Sequence, residues 1–471
     1  IKINPFFQNH FAIFGSTGSG KSCGVARIIQ NLYSKRSSVA YNSNLFIFDT
    51  YGEYTKVFAN ISNLNPYLSY KNYTTDTNLD NILKIPPWLL GVDDLAILLN
   101  ATTSTQLLII EKALKYVNIF AREETNVLKI KNDIIARSII DILLSGKPPV
   151  QIRDQVFSIL SFFKTSELNL ETVIKSPGYD RALKNCLLID TDGKLREMSL
   201  LIDFFSNYLT DNVELKMPNG SFKYSLNDLE DALNFALIDE GIFKSERVYD
   251  ELNIIKVRLH SLVNSSNKVF FEYDNYLTRD EYIISLIKTS SNNKAQIIHF
   301  NISYIDDRLA KTIVKILSKM LFDYLKSRVN RANVAFHIIL EEAHRYVQND
   351  TDINLLGYNI FDRITKEGRK YGILLGLISQ RPEELSETAV SQCNNFLIFK
   401  MNHPKDLEYI KKLVPNITNE EITTLRSLKP GSCIGFGSAF KFPNIIKMEL
   451  PNPTPNSNNV DISKTWFINQ Q

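Results

Sequence analysis

The chain has 471 residues, which at roughly 150 residues per domain allows about three domains or one large core with a sizeable insert. Hydrophobic residues make up 44% and charged residues 22%, which excludes global disorder, a collagen-like fibre and a disulfide scaffold. The net charge of +3, from 54 basic and 51 acidic residues, is too small to draw nucleic acid as a whole-chain field, so any such contact must rest on locally concentrated basic residues or on their sum around an oligomer.

Cys23, Cys186, Cys393 and Cys433 are far apart and form no CxxC pair, a pattern of reduced thiols in a cytoplasmic protein rather than of a zinc site. No apolar run approaches the roughly 18 residues of a membrane helix, and no signal peptide is visible. No membrane partner is therefore expected. The chain starts at Ile1 and its first motif at Gly15, so a further N-terminal element is expected ahead of it.

Taken in order, Phe11–Phe14 is a short apolar strand pattern, followed by a glycine-rich loop, helical spacing over Cys23–Leu32 and a second buried strand at Leu45–Phe48. This alternation predicts an α/β fold with a mainly parallel sheet. From about Asp76 to Asn293 glycine is scarce and helical periodicity dominates, with Leu107, Ile110, Leu114 and Val117 on one face and Ile135, Ile139, Ile142 and Leu143 on another. The stretch reads as a mainly helical insert between two parts of one sheet. From Lys294 the alternation returns: strands at Ala295–Asn301, Val334–Leu340, Ile373–Ile378 and Asn395–Phe399, and a helix presenting Leu309, Ile313, Ile316, Leu317, Met320, Leu321 and Tyr324 on one face. The expected organisation is thus a first core segment (1–75), a helical insert (76–293), a second core segment (294–450) and an extended Pro/Asn-rich tail (451–471).

Gly15-Ser16-Thr17-Gly18-Ser19-Gly20-Lys21-Ser22 fits the phosphate-loop pattern GxxxxGK[ST] without mismatch, with a strand before it and a helix after it. In such a loop the glycines let backbone N–H groups wrap phosphates and the helix N-terminus adds its positive dipole end. Lys21 is expected to reach the β- and γ-phosphates and the Ser22 hydroxyl to hold Mg²⁺. A guanine-reading NKxD is not apparent, since Asn293-Lys294 runs on into Ala295-Gln296. ATP with Mg²⁺ is the expected pair.

The apolar strand Val334–Leu340 ends in Glu341-Glu342-Ala343-His344. Carboxylates delivered by a buried strand beside a phosphate loop have a specific use: one helps hold the Mg²⁺ water shell, the next orients and polarises the attacking water. Glu341 suits the first role and Glu342 the second. The alternative is a pair of solvated acids opening a helix. His344 reads as a structural or supporting residue rather than a metal ligand.

Five motifs in register, namely Gly15–Ser22, Asp49-Thr50-Tyr51-Gly52-Glu53-Tyr54, Glu341–His344, Glu367-Gly368-Arg369-Lys370-Tyr371-Gly372 and Ser379-Gln380-Arg381-Pro382, resemble HerA, the hexameric DNA-translocating ATPase of the HerA/FtsK superfamily. Leu428-Lys429-Pro430-Gly431 through Phe442-Pro443 resembles the end of that core, while the insert resembles it weakly, mainly at Ile85-Pro86-Pro87-Trp88-Leu89-Leu90. The resemblance implies a RecA-like P-loop NTPase core, Glu342 as catalytic glutamate, Gln380 as sensor of the γ-phosphate, and an arginine reaching into a neighbouring subunit's site. Arg369 is the first candidate for that finger, with Arg381 and Arg363 as rivals and an ordinary surface charge as the alternative. Glu53 is expected to support the nucleotide site from the loop after the second strand, or else to serve packing or an ion pair. HerA proteins usually carry a β-barrel ahead of the core.

The implied activity is ATP hydrolysis coupled to DNA translocation by a homo-hexamer working with an effector, a nuclease or a sirtuin-like NADase, in anti-phage defence or DNA end processing. Two alternatives stay open: an ATP-gated ring scaffold for the effector, and a conjugation or secretion motor of the same superfamily. The basic stretches Lys147–Arg153 and Lys326–Arg331 read as solvated surface before they read as DNA contacts.

Overall fold

The computed structural model describes residues 3–34, 39–123, 125–176, 178–210, 222–240, 246–348, 352–414, 417–457 and 466. It divides into two compact units, residues 1–83 with 279–471, and residues 84–278. The expected insert, 76–293, is wider than the second unit at both ends. Residues 76–83 stay with the first unit because Thr74 bridges to Ile82 and Leu83 bonds back to Thr74. Residues 279–293 do so because the helix Arg279–Ile287 packs on the helix Asp307–Lys326.

The strands in chain order are β1 (Phe11–Phe14), β2 (Leu45–Asp49), β3 (Tyr70–Thr74), β4 (Val173–Ser176), β5 (Tyr179–Ala182), β6 (Ile297–Asn301), β7 (Phe336–Leu340), β8 (Ile373–Ser379), β9 (Asn395–Phe399), β10 (Ser432–Gly437) and β11 (Asn444–Lys447). Nine of them form the sheet of the first unit in the order β11-β10-β9-β1-β8-β7-β2-β6-β3. All pairings from β9 through β3 are parallel, and β10 and β11 add an antiparallel edge beside β9. Strands β1, β2, β7, β8 and β9 are buried throughout, which is why they read as mostly apolar runs.

Side chains alternate across the sheet. Ile13, Leu45, Ile47, Ile297, Ile339, Ile378 and Leu397 pack with Val25, Ala26 and Ile29 of the helix Lys21–Ser34 on one face. Phe46 and Phe336 belong to the other face, where Tyr324 of the helix Asp307–Lys326 stacks on Phe336. Asp306 caps that helix by accepting from the amides of Arg308 and Leu309, and its seven expected apolar residues are all buried. Ile47 is 1% exposed, so its truncation to Ala costs about 2–5 kcal/mol.

Among its described residues the second unit has helices and the β4–β5 hairpin as its regular elements. Ile135, Ile139, Ile142 and Leu143 are buried on the helix Thr125–Leu143, and Ile110 and Val117 on Ser104–Phe120. The two ends of this unit are tied together, Ile85 N donating to Phe270 O and Trp88 Nε1 to Leu277 O. The aromatic stretch Val269–Tyr276 serves this junction: Phe270 and Phe271 are buried, and Tyr276 stacks on Trp88.

The start of the tail is pinned rather than loose. Gln30 pairs with the backbone of Asn452 and Pro453, and Asn456 N donates to Glu53 O. The rest of the expected tail, apart from the exposed Trp466, lies outside the described residues. Among the described residues no helix is long and apolar enough to cross a membrane.

Candidate active site

The parallel strands all point the same way, so the loops after β1, β8, β7 and β2 gather at one edge of the sheet. Ligands of open parallel sheets bind at this carboxyl edge. Strand β1 delivers Gly15–Gly20 and then the helix that opens at Lys21. The loop is braced from three sides: Gly15 N donates to Ser379 O, Ser16 N to Lys400 O, and Gly431 N to Ser19 O. Gly20 has φ +88°, and a Cβ there would lie 2.6 Å from the Gly431 amide, so the motif glycine is required by both backbone and neighbour. The Leu428–Gly431 segment is thus a support of the phosphate loop.

Strand β7 delivers the two glutamates, 2% exposed each. Glu341 Oε2 accepts from Tyr54 Oη at 3.0 Å, and its carbonyl from Thr50 Oγ1 at 2.8 Å. Burial pushes its carboxyl up to about 8. Lys21 opposes this, and the charges of Glu342 and Asp49 add to it. Glu342 follows in the left-handed region, φ +48° and ψ +49°, which is rare and costly for a side chain of this kind. The strained turn aims its carboxylate across β8 at the phosphate loop, where Lys21 Nζ lies 3.4 Å from Oε1.

Gln380, directly after β8, donates from Nε2 to the same Oε1 and accepts on its own Oε1 from Thr17 Oγ1. One amide therefore bridges the phosphate loop and Glu342. His344, on the turn after Glu342, has Nδ1 3.1 Å from Ser379 Oγ and 3.3 Å from Glu342 Oε2. Burial holds its imidazole below the ordinary value, against the pull of Glu342 and Glu384.

Asp49 ends β2 fully buried and is spent on structure. Its Oδ1 accepts from the amides of Tyr51, Gly52 and Glu53, and Oδ2 from Tyr54 N and His299 Nε2. This folds residues 50–54 into a tight loop that turns Glu53 toward Ser22. Burial raises the Glu53 carboxyl, and a hydrogen bond from Ser22 draws it back.

Buried polar atoms without partners among the described residues include Ser19 Oγ, Glu53 Oε2 and Glu342 Oε2, all at this edge. Three glutamates and an aspartate share the site with one lysine, Lys21. Unpaired buried acceptors with excess negative charge fit a divalent cation. The loop amides and Lys21 fit the phosphates it would accompany.

The structure does not bring every expected residue together. Arg369 is exposed on a turn before β8, where its Nη1 donates to Asn9 Oδ1 ahead of β1. That is the opposite edge of the sheet, roughly 20 Å from Gly15 at strand rise. Arg381 is exposed beside Gln380 and paired with Glu384 at 2.9 Å. Arg363 is half-buried with its guanidinium 5.3 Å from the ring centres of both Phe322 and Tyr358. In the Lys326–Arg331 stretch, Lys326, Arg328 and Arg331 lie over Phe322, Tyr324 and Tyr371. Residue type alone did not single out Tyr54 or Gly431 as members of the site, nor the bond from Thr17 to Gln380. The turn signal of an Asp three residues before Gly52 marks the Asp49 loop.

The sequence matches the family described as "Helicase HerA, central domain" over residues 1–321, which includes the phosphate loop and stops short of Glu341. The DNA double-strand break repair helicase HerA of Sulfolobus acidocaldarius is 24% identical over 301 residues, 61% of this chain and 60% of that protein. Its namesake in Sulfurisphaera tokodaii is 25% identical over 246 residues, 52% and 48%. The matches thus span about half to three-fifths of these relatives. The solved structure of VirB4 of Thermoanaerobacter pseudethanolicus superposes with a TM-score of 0.50 at 13% identity, covering 93% of this chain and 89% of that one, a likeness of fold. With a RecA-like P-loop core and a family match over most of its length, the chain belongs to the HerA helicase family.

Proposed function

We propose that the chain is an ATP-hydrolysing DNA motor of HerA type, acting as a ring of six. The observation that carries this reading is Glu342, held in a strained backbone conformation with its carboxylate against both Lys21 and Gln380. In this reading Lys21 exchanges Glu342 for the phosphates of ATP, and the released carboxylate orients the attacking water and takes its proton. Gln380 follows the γ-phosphate from its place between Thr17 and Glu342. Ser22 and Glu341 hold Mg²⁺, with Glu53 supporting Ser22; the ion supplies neutralisation of the phosphate charge. Buried carboxylates close to Lys21 cost least when both cation and phosphates are bound, which makes the site selective for the pair.

The finger residue in this reading is Arg369. A residue acting in a neighbouring subunit must be exposed and far from its own phosphate loop. Arg369 meets both conditions, whereas Arg363 is engaged by two rings and Arg381 stands beside its own site. Basic residues summed around a ring answer the weak charge of the single chain. The proposed partner is a nuclease or a sirtuin-like NADase, and the proposed setting anti-phage defence or DNA end processing. Turnover of ATP with and without duplex DNA, together with displacement of a protein roadblock, separates the readings. A motor shows DNA-stimulated turnover and clears the block; a scaffold shows neither and still retains its effector.

A further inference from the structure

The Glu342 carboxylate is unequally held. Its Oε1 faces Lys21 Nζ at 3.4 Å and receives the Gln380 amide. Its Oε2 is buried without a hydrogen-bond partner, and His344 Nδ1 stands 3.3 Å away. The same nitrogen lies 3.1 Å from Ser379 Oγ. Ser379 is fully buried, and its hydroxyl oxygen also accepts from Arg381 N at 3.0 Å. Nδ1 therefore stands between a hydroxyl at the end of β8 and a carboxylate oxygen at the end of β7, hydrogen-bonded to the first and within ion-pair distance of the second. With its proton on Nδ1 the ring can serve one of them at a time, and the carboxylate is the stronger acceptor.

The backbone leaves His344 little freedom to be elsewhere. It sits on the turn Ala343–Arg345, whose entry is fixed by the left-handed Glu342 and whose next residues, Tyr346 and Val347, are buried. Its side chain is 15% exposed. Ser379, Gln380 and Arg381 are consecutive. A shift of Gln380 with the γ-phosphate would move the hydroxyl that competes for His344.

Resting on the ATPase reading above, we infer that His344 is a positioning residue for hydrolysis. It fixes the rotation of the Glu342 carboxylate through Oε2 and links that rotation to the Ser379–Arg381 segment. Its contacts are with Glu342 and Ser379 and not with the phosphate loop, so its loss acts on turnover and not on ATP binding.

The test uses the full chain with His344→Ala, His344→Asn and His344→Gln, reading kcat, KM for ATP, affinity for a fluorescent ATP analogue, and melting temperature. The Asn Nδ2 occupies the place of the imidazole Nδ1; the Gln amide reaches the place of Nε2. His344→Ala is expected to lower kcat about tenfold with KM and analogue affinity changed less than about twofold, the signature of an interaction made in the transition state. His344→Asn should recover to within about threefold of wild type, and His344→Gln should not. Wild-type kcat in His344→Ala, or equal recovery by Asn and Gln, overturns the inference. Loss of analogue affinity in step with kcat also does. If His344→Ala fails to fold, the Asn-to-Gln comparison still decides. A wild-type chain that hydrolyses ATP, loses turnover with Glu342→Gln and is indifferent at His344 overturns this inference alone. A wild-type chain without turnover overturns the ATPase reading with it.

Discussion

Glu341 ties the stability of the first unit to pH. Burial raises its carboxyl from 4.5 to about 8, so the folded chain holds a proton that the unfolded chain releases. The stabilisation is complete below about pH 4.5 and is lost as pH rises through about 8, the reverse of an acid held in a salt bridge. One proton changes stability by at most about 1.4 kcal/mol per pH unit, so the whole window amounts to no more than about 5 kcal/mol. Between pH 5 and pH 8 about 3.5 kcal/mol of it is lost, which at an unfolding entropy of about 0.6 kcal/mol/K for a unit this size is a fall in Tm of about 6 °C. Glu341→Gln keeps the shape and an acceptor for Tyr54 while removing the titration. Scanning fluorimetry of the nucleotide-free, Mg²⁺-free protein across this range should show the wild type losing Tm relative to the variant, with the gap opening above about pH 5. Mg²⁺ and nucleotide should flatten the wild-type slope, because a cation stabilises the charged carboxylate. A variant that follows the wild-type curve throughout would refute the reasoning.

Two further predictions follow from particular contacts. Gly372 has φ +90°, and a Cβ there would lie 2.3 Å from Val334 O, so Gly372→Ala should destabilise by about 2–4 kcal/mol, read by chemical denaturation. Arg369→Ala and Lys21→Ala subunits should each be inactive alone; mixed in one ring they should regain partial turnover, since some interfaces then carry an intact Lys21 and an intact Arg369. No recovery at any ratio would count against Arg369 acting in a neighbour.

The central strands are legible because burial on both faces leaves runs that are almost wholly apolar. Phe11–Phe14 and Asn395–Phe399 fall where the pattern puts them. Strand β3 is not, because Tyr70–Thr74 is a half-buried edge carrying Lys71 and Asn72, and its place is set by pairing with β6 rather than by hydrophobicity. Strand β11 is not legible for a similar reason, being largely exposed, while β10 is mostly buried but its apolar run is broken by Gly435 and Gly437.

The site divides along the same line. A glycine-rich loop and a pair of acids after a strand are local patterns. The left-handed turn at Glu342 is imposed by the packing around it, and no residue type announces it. Asp49 stands in a motif of the site, yet its two oxygens accept from four amides and His299 and serve the loop itself. The rivalry among three arginines was not decidable from spacing. Ring contacts at Arg363 and the sheet edge at Arg369 depend on where distant segments meet.

The most direct measurement is steady-state ATP turnover of wild type and Glu342→Gln, with nucleotide affinity measured on the same samples. The amide keeps the volume and an acceptor for Lys21 but cannot take a proton. Turnover should fall by about 10²–10⁴-fold while nucleotide affinity is retained. A Glu342→Gln chain that hydrolyses ATP at the wild-type rate would contradict the account.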